Sequence, residues 1–124
     1  ALPIDEFLPE IKKLLLSGQN CVITAAPGAG KTTRVPVALS EIFSGKILIL
    51  EPRRMAAVAA ALRVSEELQK PVGTEVGYQV RFQNKTSEDT KIIFLTEALL
   101  LRMIQADPEL KGISAVILDE FHES

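Results

Sequence analysis

The sequence predicts an open parallel α/β sheet flanked by helices and organised around a phosphate-binding loop. Three observations carry this. The run Ile47-Leu48-Ile49-Leu50 is apolar at every position rather than at alternate ones, as expected for a strand buried on both faces of a parallel sheet. Strand-like and helix-like segments alternate along the chain, which is the pattern of an α/β domain. Residues 25–32 read A-A-P-G-A-G-K-T directly after the apolar run Cys21-Val22-Ile23-Thr24, at the junction of a strand and a helix.

Taken in order, Ile4, Phe7, Leu8, Ile11, Leu14 and Leu15 share one helical face, with Asp5 and Glu6 in the first turn and Gly18 as the stop. A strand over 21–26 follows. The next helix runs from Lys31 to Phe43 and carries Pro36 early, where a missing N–H costs least. After the strand 46–50, a helix begins at Met55, and its alanines favour helix formation and close packing. A strand over 76–82, a polar loop over 83–89 and a strand over 91–95 come next. A helix from Thr96 to about Gln105 starts at a residue suited to N-capping and ends before the turn Asp107-Pro108. The last strand is 115–118.

A chain of 124 residues, 47% of them hydrophobic, buries one core, so one domain is expected. A net charge of −2 argues against binding nucleic acid through bulk charge and leaves such contacts to local basic clusters. The single cysteine, Cys21, lies in the first strand, where a buried thiol is expected and no disulfide can form within the chain. The longest apolar runs, of at most eight residues, fall far short of the roughly 20 that a membrane span needs. With no signal-peptide pattern at the N-terminus, a cytoplasmic location is expected.

The loop has a specific chemistry. Gly28 and Gly30 lack a Cβ and let successive backbone N–H groups turn inward around a phosphate, while the following helix points its dipole at the same charge. Lys31 is placed to reach the β- and γ-phosphates, and Thr32 offers a hydroxyl to Mg²⁺. Pro27, Gly28, Ala29, Gly30, Lys31, Thr32 and Thr33 therefore form the candidate nucleotide-binding set. Ala25 departs from the usual pattern, which begins with Gly. A glycine-rich turn that binds nothing is the plain alternative. At the far end, Ala115-Val116-Ile117-Leu118 leads into Asp119-Glu120-Phe121-His122. An Asp there can hold the metal, and the adjacent Glu can deprotonate the attacking water. The same loop also serves kinases and modules that bind nucleotide without turnover; Asp119-Glu120 counts against a kinase. Arg53 and Arg54 read either as a solvated pair at a strand end or as phosphate contacts.

Three more segments join these motifs in order: Glu51-Pro52-Arg53-Arg54, Arg81-Phe82 and Thr96-Glu97. Together they resemble the motifs of the DEAH-box branch of superfamily 2 helicases over essentially the whole chain. The nearest likeness is to the bacterial HrpB-type ATP-dependent helicases, which share D-E-F-H, G-K-T-T-R-V-P, L-E-P-R-R-M-A-A and L-L-L-R-M-I-Q-A-D-P-E-L. The resemblance implies a first RecA-like domain that binds ATP and Mg²⁺ and acts on single-stranded nucleic acid, RNA rather than DNA. It further implies that Lys31 and Thr32 hold triphosphate and metal, Asp119 holds the metal, and Glu120 is the catalytic base. His122 would link the nucleotide to a second RecA-like domain of the intact protein, Arg63 would stack on the base, and Arg53, Arg81 and Thr96 would touch the nucleic-acid backbone. Ala98 stands where the family often has Gly.

In that family a further strand, after the D-E-x-H motif, lies between the phosphate-loop strand and the D-E-x-H strand. The chain is thus expected to be a RecA-like domain truncated after the latter strand and, alone, nearly inactive. A gap of about 10 Å between strands 21–26 and 115–118 follows from normal strand spacing. Closure of the sheet, a segment of another copy, or residues that follow in the natural protein would fill it.

Overall fold

Unbroken apolar runs do form the centre of the sheet. The computed structural model describes residues 21–25 and 31–119. The expected helix over residues 4–15, the expected phosphate loop over residues 26–30 and Glu120, Phe121 and His122 lie outside the described residues. The elements are β1 (Cys21–Ala25), α1 (Lys31–Ile42), β2 (Lys46–Glu51), α2 (Arg54–Glu67), β3 (Val76–Val80), β4 (Gln83–Lys85), β5 (Ile92–Thr96), α3 (Glu97–Ala106) and β6 (Ile113–Asp119). They build one six-stranded sheet in the order β1-β6-β2-β5-β3-β4, parallel throughout except for the β3/β4 hairpin.

Strand alternation divides the core in two. Ile47 and Ile49, Ile92 and Phe94, Val76, Tyr78 and Val80, and Ala115 and Ile117 pack with Ala57, Ala60, Ala61 and Val64 of α2. On the other face, Leu48, Leu50, Ile93, Leu95 and Val116 pack with Leu100 and Ile104 of α3 and with Leu110. Ile47, Leu48 and Leu50 are fully buried and Ile49 nearly so, which is why β2 shows no polar alternation. The alanines of α2 let its axis lie close to the sheet. That helix ends in a Schellman motif: Gln69, at φ 57°, donates to the Glu66 carbonyl, and Lys70 donates to that of Ser65.

The amino-terminal edge of the sheet is tied by two lysines that cross between neighbouring strands. Lys46, opening β2, donates from Nζ to the carbonyls of Glu88 and Thr90 in the segment leading to β5. Lys91, just before β5, donates from Nζ to the Phe43 carbonyl at 2.8 Å, in the segment leading to β2. Alongside, the Gly45 N–H donates to Ser114 Oγ at 2.8 Å. A Cβ on Gly45 would lie 2.4 Å from that oxygen, so the close approach requires glycine.

Four expectations are corrected. First, β1 pairs directly with β6, Cys21 opposite Ala115 through Ala25 opposite Asp119, so no gap separates strands 21–25 and 113–119. Of the three ways of filling it, closure of the sheet is the one observed, because backbone groups on facing strand edges gain more from pairing than from being left open. Second, the strand expected over 76–82 stops at Val80. The apolar alternation continues to Phe82, but the chain reverses at Arg81-Phe82 and returns as β4, with Val80 opposite Gln83, so part of the expected polar loop is a strand. Third, Pro36 is interior to α1 rather than in its first turn. The N–H it lacks is the one that would bond to the Thr32 carbonyl. Fourth, Thr96 occupies the N-cap position of α3 with extended dihedrals, yet its side chain makes no cap bond.

Candidate functional site

Strand register decides which motif residues become neighbours. Ala25, the last residue of β1, pairs with Asp119, the last of β6. Leu50 pairs with Leu118, so Glu51 follows in register beside Asp119. Glu51 in turn pairs with Thr96 at the end of β5. Gln79 pairs with Leu95, which places Arg81 just past the end of β3, beyond Thr96 on the same edge. Ala25, Asp119, Glu51 and Thr96 thus form one row across four adjacent strands at the carboxyl edge, where open α/β sheets bind ligands. By alternation Glu51 falls with Ile47 and Ile49, and Thr96 with Ile92 and Phe94, on the face covered by α2.

The row has two zones. Around β1 and β6, α1 begins at Lys31, so Lys31, Thr32 and Thr33 are its first three residues, and in sequence residues 26–30 separate Lys31 from Ala25 at the β1 carboxyl end. Asp119 stands on the adjacent strand. A threonine hydroxyl and one carboxylate are hard oxygen donors of the kind Mg²⁺ takes, with nucleotide and water oxygens completing the shell. Among the described residues no group of three or more His, Cys, Asp and Glu is placed to bind a metal without such help.

The second zone, at the ends of β2, β5 and β3, is basic. Arg53 is the N-cap residue of α2, at φ −137° and ψ 150°, and both it and Arg54 are exposed. The first turn of α2 carries no acidic residue. Two guanidinium groups at an uncompensated helix N-terminus favour a phosphate. Thr96 is half-buried, and Arg81 is exposed at the hairpin tip. Arg63 is not brought to the row. It is exposed on α2, nine residues beyond Arg54, about 13 Å along the helix axis.

Two residues at this edge, named in the sequence only as members of motif segments, have features that the sequence did not show. Phe82 is 89% exposed at φ 67°, its ring lying under the Arg81 guanidinium at 4.8 Å. A bulky residue in the left-handed region carries a strain of about 1 to 3 kcal/mol. The positive φ leaves no mark in an alternating apolar pattern. Glu51, closing an apolar run, is only 2% exposed, and its burial follows from the strands on both sides.

Residues 9–124 match the DEAD/DEAH box helicase family. The chain belongs to this family. It is 45% identical over 99% of its length to "ATP-dependent RNA helicase HrpB" of Escherichia coli (strain K12), covering 16% of that protein. It is 44% identical to "ATP-dependent RNA helicase DHX33" of Mus musculus, covering 99% of this chain and 18% of that one. The crystal structure of the E. coli DExH-box NTPase HrpB superposes with a TM-score of 0.73 at 44% identity, covering 98% of this chain and 15% of that chain. The chain therefore spans about a sixth of the length of these helicases, and its fold matches the RecA-like domain of the DEAD/DEAH box family, with β1 and β6 paired directly. No helix among the described residues is long and apolar enough to cross a membrane.

Proposed function

We propose that this chain is the nucleotide-binding part of an ATP-dependent helicase or translocase that moves on single-stranded nucleic acid, RNA in preference to DNA. The observation that carries the reading is the carboxyl-edge row, in which Ala25 and Asp119 are paired neighbours and Glu51 and Thr96 continue the same line. The E. coli and mouse relatives named above are both described as ATP-dependent RNA helicases.

Pro27, Gly28, Ala29 and Gly30 cradle the triphosphate with backbone N–H groups, and Lys31 adds a charge-assisted contact to the β- and γ-phosphates. Thr32 and Asp119 would hold Mg²⁺, and Thr33 follows in the first turn of α1 as the last residue of the nucleotide-binding set. Bound there, the metal supplies charge stabilisation at the phosphoryl oxygens. Glu120 accepts the proton of the attacking water, and His122 links the site to a second RecA-like domain of the intact protein. Arg63 stacks on the base. Arg53, Arg81 and Thr96 hold the sugar-phosphate chain, a contact that positions nucleic acid without reading its sequence. A piece without the partner domain binds nucleotide and turns it over poorly.

The test is Glu120→Gln in the full-length protein. ATP affinity is retained, while RNA-stimulated phosphate release falls by about two to four orders of magnitude, because a general base is lost and the phosphate contacts are spared. Turnover near the wild-type rate would remove Glu120 from its role.

A further inference from the structure

Among the described residues, Phe82 is the most exposed of the large hydrophobic side chains, at 89%, whereas the other described aromatic residues, Phe43, Tyr78 and Phe94, pack in or against the core beneath α2. Its φ of 67° falls at the second residue of the two-residue turn between Val80 and Gln83, a position that favours glycine or asparagine. Either would relieve the backbone and remove the exposed ring, so stability alone gives no reason for phenylalanine. The surroundings do. One face of the ring lies against the Arg81 guanidinium, 4.8 Å from the ring centroid, and the exposure leaves the other face open. Gln83, Asn84 and Lys85 are exposed beside it, so the ring stands in a polar and basic surface rather than in the apolar patch that a protein partner needs. The tip lies past the end of β3, two strands and about 10 Å from the end of β2, where Arg53 and Arg54 are exposed.

We propose that Phe82 is a stacking platform for one base of a bound single strand: the open face of the ring takes the base, and Arg81 holds a neighbouring phosphate. The inference rests on the nucleic-acid reading given above, and it adds a base contact to an edge that the reading supplies with contacts to the sugar-phosphate chain alone. Every base has a π-face, so an aromatic ring binds single strands with little regard to sequence, and any preference follows stacking strength rather than hydrogen-bond readout. The guanidinium behind the ring extends the stack through a cation–π contact. The same contact, together with the tight turn, orders the ring before the strand arrives, so less side-chain freedom is lost on binding.

The experiment measures the anisotropy of two fluorescent strands on the full-length protein and its Phe82→Asn, Phe82→Tyr and Arg81→Gln variants. One strand is an oligouridine; the other has the same length and phosphate count, with abasic sites in place of bases. Asparagine tolerates the left-handed backbone, so Phe82→Asn melts at or above the wild-type temperature. It loses at least about five-fold in affinity for the oligouridine, the lower end of base–aromatic stacking, and nothing for the abasic strand. Phe82→Tyr keeps the wild-type affinity for both. Arg81→Gln weakens both strands and lowers the salt slope by about 0.7, as the loss of one phosphate contact does, whereas Phe82→Asn leaves the slope unchanged. Wild-type affinity of Phe82→Asn for the oligouridine, or an equal loss on both strands, overturns the proposal. A lower melting temperature of Phe82→Asn with unchanged affinities shows the ring covered by protein and overturns it likewise. Wild-type protein that binds neither strand overturns the nucleic-acid reading, and the proposal with it.

Discussion

Gly77→Ala separates the basic edge from the nucleotide zone by a perturbation of known size. Gly77 lies in β3, and a Cβ built on it would sit 2.1 Å from the Lys85 carbonyl oxygen and 2.9 Å from Thr86 Cγ2. The nearer contact is with backbone, so no rotamer change relieves it, and β4 must move away by about 1 Å to restore ordinary van der Waals distance. The β4 ladder contains only Tyr78 opposite Lys85, Gln79 opposite Asn84 and Val80 opposite Gln83. Losing two of its hydrogen bonds, at about 1 kcal/mol each, gives an expected destabilisation of about 2 kcal/mol, which is also within the usual range for overpacking. The same movement displaces the Arg81-Phe82 tip. A denaturant melt of the full-length protein checks the stability, anisotropy on single-stranded RNA checks the tip, and calorimetry with Mg-nucleotide checks the far zone. Affinity for RNA should fall several-fold while nucleotide affinity stays unchanged, because β3 is four strands from β1, about 19 Å across the sheet. A variant as stable as wild type with full RNA affinity would show that the close approach of Gly77 to β4 does not hold the tip in place.

Lys31→Ala should abolish Mg-nucleotide binding by calorimetry, since charge-assisted contacts to phosphate are the strong ones; unchanged affinity would refute the loop assignment. Lys91→Met removes the Nζ donor to the Phe43 carbonyl at the opposite edge of the sheet. A partly exposed charge-assisted bond of this kind contributes about 1 kcal/mol, so a urea melt should shift by that amount with nucleotide affinity unchanged. A change in nucleotide affinity without a change in the melt would contradict the separation of the two edges.

The candidate site is read from local signals in the sequence. The phosphate loop is a local signal, because glycines, lysine and hydroxyl must be contiguous to wrap one phosphate, and its flanking strand and helix are read from the same stretch. Asp119 at the end of an apolar strand and the arginines after Glu51 are local in the same sense, and the backbone positions of Asp119, Arg53 and Arg54 lie at the carboxyl edge. Phe82 was misread for an equally local reason. Its place in the alternation Val76, Tyr78, Val80, Phe82 argues for a continuing strand, and only the return of β4 reverses it.

What the sequence determined by itself was therefore element type and family: β2 as a strand buried on both faces and α2 as an alanine-rich packing helix. Tertiary structure alone decided the strand order, the direct pairing of β1 with β6, the crossed lysine ties at the amino edge, and the row that sets Glu51 between Asp119 and Thr96. The physical reason is range. Periodicity, turns and loop geometry are written within a few consecutive residues, whereas register depends on which distant segments bury each other's faces and pair each other's backbone groups, and Glu51 is buried by strands that begin about 40 and 60 residues later in the chain.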